Sequence, residues 1–78
     1  MLNGRVSSKH VYHVLRRADN SWLVLKEGFR RPHLISESKE QAIILARRLA
    51  KLNTSAQVVV HNRDDLVERQ YRFAREAA

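Results

Sequence analysis

The apolar positions change rhythm along the chain, and those changes mark out its elements. His10-Val11-Tyr12-His13-Val14-Leu15-Arg16 and Ser21-Trp22-Leu23-Val24-Leu25-Lys26-Glu27 are short runs rich in β-branched and aromatic residues, the composition of strands. Asp19-Asn20 between them tolerates positive φ, so the pair predicts a β-hairpin. Gly28 ends the second run, Arg30-Arg31-Pro32 forms a basic loop, and His33-Leu34-Ile35-Ser36 predicts a short third strand. Proline donates nothing to a ladder, so this strand starts at Pro32 or lies on a sheet edge.

From Lys39 to about Leu52 the period becomes helical. Ala42, Leu45, Ala46, Leu49 and Leu52, with Ala50 at the margin, project as one apolar stripe, and Glu40, Arg47, Arg48 and Lys51 face away. Ser38 with Gln41 three residues on predicts a capping box, in which hydroxyl and amide satisfy two free N–H groups at the helix start. Ile44 falls among the charges of the polar side. A lone exposed isoleucine usually has no meaning, but one set among cations is a place to look for a partner contact.

After Asn53-Thr54-Ser55 the run Ala56-Gln57-Val58-Val59-Val60-His61 again predicts a strand. Leu66 to Phe73 admits two readings: Val67, Tyr71 and Phe73 line a strand face, whereas Val67, Tyr71 and Ala74 suit a helix. Asn62-Arg63-Asp64-Asp65 lies where a second hairpin turn belongs, which favours the strand. The expectation is an α+β fold: a small, mainly antiparallel sheet of four or five strands with one amphipathic helix packed on one face, in the order β-β-(β)-α-β-β. The domain spans 9–73, between an N-terminal arm at 1–8 and a C-terminal tail at 74–78. Both hairpins carry apolar residues on both faces, and one helix covers only one of them, so the other face is left for a second subunit or a partner.

Length bounds what such a fold can do. At 78 residues it is one domain with a thin core, since chains of this size hide only about 60% of their unfolded surface. A cofactor cradle or a deep pocket is not expected, and with it no small-molecule substrate. The absence of cysteine removes disulfides and thiolate metal sites and fits a reducing, cytoplasmic setting. No apolar run is long enough for a membrane span. Charge alters the picture most: 15 Lys and Arg against 8 Asp and Glu leave a formal +7, and eleven of the fifteen are arginines. The planar guanidinium suits phosphate oxygens, so a polyanion is the partner to suspect.

The densest polar cluster, His61-Asn62-Arg63-Asp64-Asp65, invites a catalytic or metal reading. A turn accounts for it more simply, and catalysis would need His61 to converge with Asp64 or Asp65 in a pocket that so short a chain has little material to build. His10 and His13, three apart in a strand, point to opposite faces and cannot share a metal. His33 stands alone, and no glycine-rich phosphate loop exists. No catalytic, cofactor or metal residues are expected, and the chain reads as non-enzymatic.

Tyr12-His13-Val14, Trp22-Leu23-Val24 with Glu27-Gly28, Ser38-Lys39-Glu40-Gln41-Ala42 leading into Ala46-Arg47-Arg48-Leu49-Ala50, and Val58-Val59-Val60-His61 with Arg63-Asp64 follow one another in an order that resembles bacterial domain-of-unknown-function family 2188. The resemblance runs from about Val11 to Tyr71. It implies a strand hairpin, one helix and a closing strand hairpin, which supports the strand reading of the last segment; it implies no activity, cofactor or catalytic residue. The chain departs from the family pattern at Leu15-Arg16, where a proline is usual, and at Asp64-Asp65, where Asp-Gly is usual and a glycine best meets positive φ.

Function is therefore read from the surface. The first expectation is DNA or RNA binding through Arg16, Arg17, Arg30, Arg31, Arg47, Arg48, Lys51 and Arg63, with Ile44 as a neighbouring contact, and with Tyr12 or Trp22 stacking on bases if either is exposed. The alternative is a protein-interaction module, as a homodimer or with a partner docked on the uncovered sheet face.

Overall fold

The computed structural model describes residues 10–53 and 55–74, so the arm at 1–8 and the tail beyond Ala74 lie outside the described residues. The elements follow in the order β1 (His10–Arg16), β2 (Trp22–Lys26), β3 (Leu34–Ser36), α1 (Lys39–Lys51), β4 (Ser55–His61) and β5 (Val67–Ala74). They form one five-stranded sheet in the order β3-β2-β1-β4-β5, antiparallel throughout except for the β1/β4 pair. That parallel pairing follows from α1, which carries the chain back across the sheet before β4 begins. Leu66 to Phe73 resolves as strand, and Ala74, assigned by sequence to the tail, ends β5.

Each turn has the chemistry its residues allow. In the β1–β2 turn Asn20 takes φ 70° and the Asp19 carboxylate accepts from the backbone N–H and the hydroxyl of Ser21. Gly28 closes β2 at φ +91°. In the β4–β5 turn Asp65 holds φ 66° where glycine would be usual. The Asn62 side-chain oxygen accepts from the N–H groups of Asp64 and Leu66, at 2.9 and 3.1 Å, which stabilises that conformation without glycine.

The core lies between α1 and one sheet face. Val14, Val24, Val58 and Val60 are fully buried, and Tyr12, Trp22 and Ala56 complete the layer. Burying each valine contributes about 1.5–3 kcal/mol. Helix α1 approaches closely because Ala42, Ala46 and Ala50, at four-residue spacing, present only methyl groups to the sheet, with Ile43 and Leu49 packing alongside. This stripe is rotated from the predicted one. Ala50, at the margin of the predicted stripe, is fully buried, and Leu52, expected in it, is 77% exposed because the helix ends at Lys51 and Leu52 is the cap.

Asn53 closes that end of the helix. Its side-chain amide donates to the Leu49 carbonyl and to the Tyr12 hydroxyl, each at 3.1 Å. At the other end Ser38 Oγ accepts from Gln41 N–H as expected, but the Ser38 N–H donates to Ser36 Oγ. The capping box is thus half realised, with a strand residue supplying the second arm.

The opposite sheet face has no helix over it among the described residues. Val11, His13, Leu15, Leu23, Leu25, Val59 and His61 alternate onto it, half-buried except for Val59, which is only 7% exposed between His13 and Gln70 on the flanking strands.

Candidate nucleic-acid interface

The fold distributes the eight cations singled out by sequence over three places. Arg16 ends β1 with Arg17 directly after it, and Arg63 lies in the β4–β5 turn; because β1 and β4 run parallel, these residues meet at one end of the sheet, where they line a cleft with Asp65. That end is electrically mixed. Arg16 donates to the Asn20 side chain, and Arg63 also lines a second cleft with Glu37, Glu40, Asp64 and Glu68 beside the N-terminus of α1. Lys39 is paired there with Glu68 and lies 5.3 Å over the Trp22 ring. The two Ser21 bonds to the Asp19 carboxylate, reinforced by Arg17, lower its pKa by favouring the charged form.

The second place is the outer face of α1, where Ile44, Arg47, Arg48 and Lys51 line a shallow depression. Ile44 is 46% exposed, as the polar-face position implied. Arg47 is turned aside: its guanidinium lies 4.8 Å over the Tyr71 ring and its Nε is buried. Arg69 bonds the Tyr71 hydroxyl from the same strand, which raises its already high pKa and keeps it charged.

The third place is the β2–β3 loop at the far end of the sheet. Arg30, Arg31 and Phe29 are exposed there, and the Lys26 ammonium lies 5.4 Å over the Phe29 ring and 5.6 Å over Tyr12. His33 meets Phe29 edge to face at 5.3 Å and Tyr12 at 6.0 Å. Since Tyr12 is also bonded by Asn53, just past the end of α1, the basic loop and the C-terminal turn of the helix share one end of the molecule. Lys26, Arg30, Arg31, Arg48 and Lys51 stand there with one carboxylate, Glu27, among the described residues, and the helix C-terminus adds partial negative charge.

This placement corrects the stacking candidates. Tyr12 and Trp22 are both buried and offer no ring face to a ligand, while Phe29, an aromatic residue that could equally have filled the core, is 53% exposed. The signal for Phe29 was present in the sequence: it follows Gly28 directly and precedes Arg30-Arg31-Pro32, so it lies in a turn rather than a strand.

The polar cluster at His61 is the turn it was read as, with His61 Nδ1 and Asp65 Oδ1 3.9 Å apart, beyond hydrogen-bond reach. Sequence reasoning missed a different pairing. His13 on β1 and His61 on β4 meet on the open face, Nδ1 to Nε2 at 3.0 Å, and His13 Nε2 reaches Glu27 Oε2 at 2.9 Å. Only the parallel β1/β4 register brings them together, and nothing in the local pattern of either strand states that register.

A single helix on a mixed five-stranded sheet, with turns at both ends carrying the charge, defines a small α+β domain. Residues 12–73 match the family described as "Uncharacterized protein conserved in bacteria (DUF2188)", and the chain belongs to that family. No curated protein and no solved structure matches the chain. Among the described residues no helix is long and apolar enough to cross a membrane.

Proposed function

We propose that this protein is a non-enzymatic accessory protein of the cytoplasm that binds single-stranded nucleic acid at the end formed by the β2–β3 loop and the C-terminus of α1. The observation that carries the reading is Phe29, an exposed ring flanked by Lys26, Arg30, Arg31 and His33. An aromatic face beside guanidinium groups suits an unpaired base and its phosphates; a duplex hides its base faces and leaves such a ring without a role. Arg48 and Lys51 extend the positive surface along α1, with Ile44 as an apolar contact beside them. Arg16, Arg17 and Arg63 stand among carboxylates at the other end and contribute little.

Fluorescence anisotropy with labelled single-stranded DNA, single-stranded RNA and duplex DNA, each titrated at several salt concentrations, tests this. Preference for a single strand that persists at physiological salt supports it, with log K falling against log salt at about 0.7 per phosphate contacted. Equal, weak binding to all three that vanishes at physiological salt sinks it and reduces the charge to a solubility device.

A second reading has its own observation: Leu15, Leu23 and Leu25 are half-exposed on the helix-free face and Ile35 beside them is 55% exposed, which suits a homodimer or a protein partner. Light scattering addresses it directly. A dimer mass at tens of micromolar, lost in Leu23→Asp, supports self-association, and a monomer mass throughout counts against it.

A further inference from the structure

Cross-strand register sorts the side chains of the helix-free sheet face into rows. The row nearest the turn end is Ile35, Leu23, Leu15, His61 and Val67, apolar but for the imidazole. The middle row is Leu25, His13, Val59 and Gln70. The row toward the loop end is Glu27, Val11, Gln57 and Arg72, with a carboxylate beside β2 and a guanidinium on β5. Most of the polar groups bond one another: Gln57 donates to Gln70 at 2.7 Å, and His13 lies 3.0 Å from His61 and 2.9 Å from Glu27 Oε2. Covering the face therefore strands few polar atoms. The two charges are the exception. The Glu27 side chain is 65% exposed and holds His13 through one oxygen, and Arg72 is exposed with no ion pair or hydrogen bond among the described residues.

We infer that the occupant of this face, on the reading that it is an interaction surface, is a second copy of the chain, packed face to face about a two-fold axis parallel to the strands and midway between β1 and β4. That axis sets β2 opposite β5 of the second copy and β1 opposite its β4, and keeps each row opposite itself. Glu27 then meets Arg72 of the second copy, twice by symmetry, while Leu23 meets Val67 and His13 meets Val59. Packed sheets lie about 10 Å apart with strands within about 30° of each other, a gap that glutamate and arginine side chains reaching from opposite sides span. An axis across the strands would place Glu27 on Leu23 and Arg72 on Val67, burying both charges against apolar groups without a counterion. An axis along β1 sets Glu27 opposite Gln57 instead. The face is thus complementary to itself in the first alignment, as a two-fold interface requires. Four overlapping strands give a footprint about 20 Å on a side, on the order of 1,000 Å² over both copies, near the lower bound for a specific interface and in the range of a weak, reversible dimer. The apolar rows supply the attraction, and the two charge pairs at the rim fix the alignment. Both β2–β3 loops then lie at the same end of the dimer.

Sedimentation velocity of the full chain over a micromolar concentration series at low salt tests this by charge exchange. The native chain is expected to dimerise. Glu27→Arg and Arg72→Glu each set like charges together at both contacts and are expected to weaken the dimer at least about tenfold. An equimolar mixture of the two variants restores both pairs, because a chain with two arginines faces a chain with two carboxylates, and is expected to regain the dimer mass. The Glu27→Arg/Arg72→Glu double variant is expected to regain it too. Recovery in the mixture also shows that both variants are folded. Should Glu27→Arg unfold through loss of its His13 bond, Leu23→Cys and Val67→Cys chains mixed under diamide decide in its place, with a cross-link expected between unlike chains and not between like ones. A dimer lost in Leu23→Asp but kept in both charge variants overturns this alignment and leaves the face an interface. Folded charge variants that stay monomeric when mixed overturn it as well. A monomer mass for the native chain at every concentration overturns the second copy as occupant and leaves the face to a different protein.

Discussion

The two ends of the sheet carry similar numbers of arginines and differ in what surrounds them. At the turn end Arg16, Arg17 and Arg63 stand among Asp19, Glu37, Glu40, Asp64, Asp65 and Glu68, so the local field is mixed. At the loop end Arg30 and Arg31 are joined by Lys26 and by the cations of the last helical turns, beside an exposed aromatic ring. Net charge is therefore a poor guide to where a polyanion binds. The placement of the carboxylates decides it, and the fold sets that placement.

The largest effect that sharpens this contrast is charge reversal. Arg30→Glu with Arg31→Glu is expected to weaken single-strand binding by about 3 kcal/mol or more, whereas Arg16→Glu with Arg17→Glu changes it by less than about 1 kcal/mol. Anisotropy at one fixed salt concentration compares them. Next comes Phe29→Ala, expected to cost about 1–3 kcal/mol of binding if one base stacks on it. Since Phe29 is half-exposed, thermal melting of that variant should move little, which separates the contact from the fold.

At the turn end the expected effects are on stability. Asn62→Ala removes the acceptor of two backbone N–H groups and is expected to cost about 1 kcal/mol in urea unfolding, with nucleic-acid affinity unchanged. The smallest effect is pH-dependent. The Asp19 carboxyl titrates below its ordinary value because Ser21 bonds its charged form, so its contribution to stability is complete above the unfolded pKa and is lost as pH falls through the lower folded one. Ser21→Ala should return the Asp19 titration, followed by NMR, toward 3.8.

How much of this was legible beforehand depended on whether the governing interaction was local. Strand and helix bounds, the Ser38 cap and the Asn62 turn are decided by neighbours in sequence, and they were read to within a residue or two. The rotation of the helical stripe was not, because the pattern ranks Leu45 and Leu52 as more apolar than Ala50 and says nothing of how closely the helix must approach the sheet. The meeting of His13 with His61, and the separation of Arg63 from Arg30, depend on the parallel β1/β4 pairing across residues far apart in the chain. The exposure of Phe29 fell between these cases. Its flanking Gly28 and Arg30 marked a turn, but its aromatic character alone argued for the core.

The proposed binding surface is the loop end, with Phe29 at its centre. The most direct measurement is the affinity of a labelled single strand, at physiological salt, for two triple variants: Phe29→Ala/Arg30→Ala/Arg31→Ala and Arg16→Ala/Arg17→Ala/Arg63→Ala. Both remove aligned surface groups and leave the core intact. Loss of binding in the first and near-native binding in the second is the expected result. Equal losses in the two, or a larger loss in the second, would contradict it.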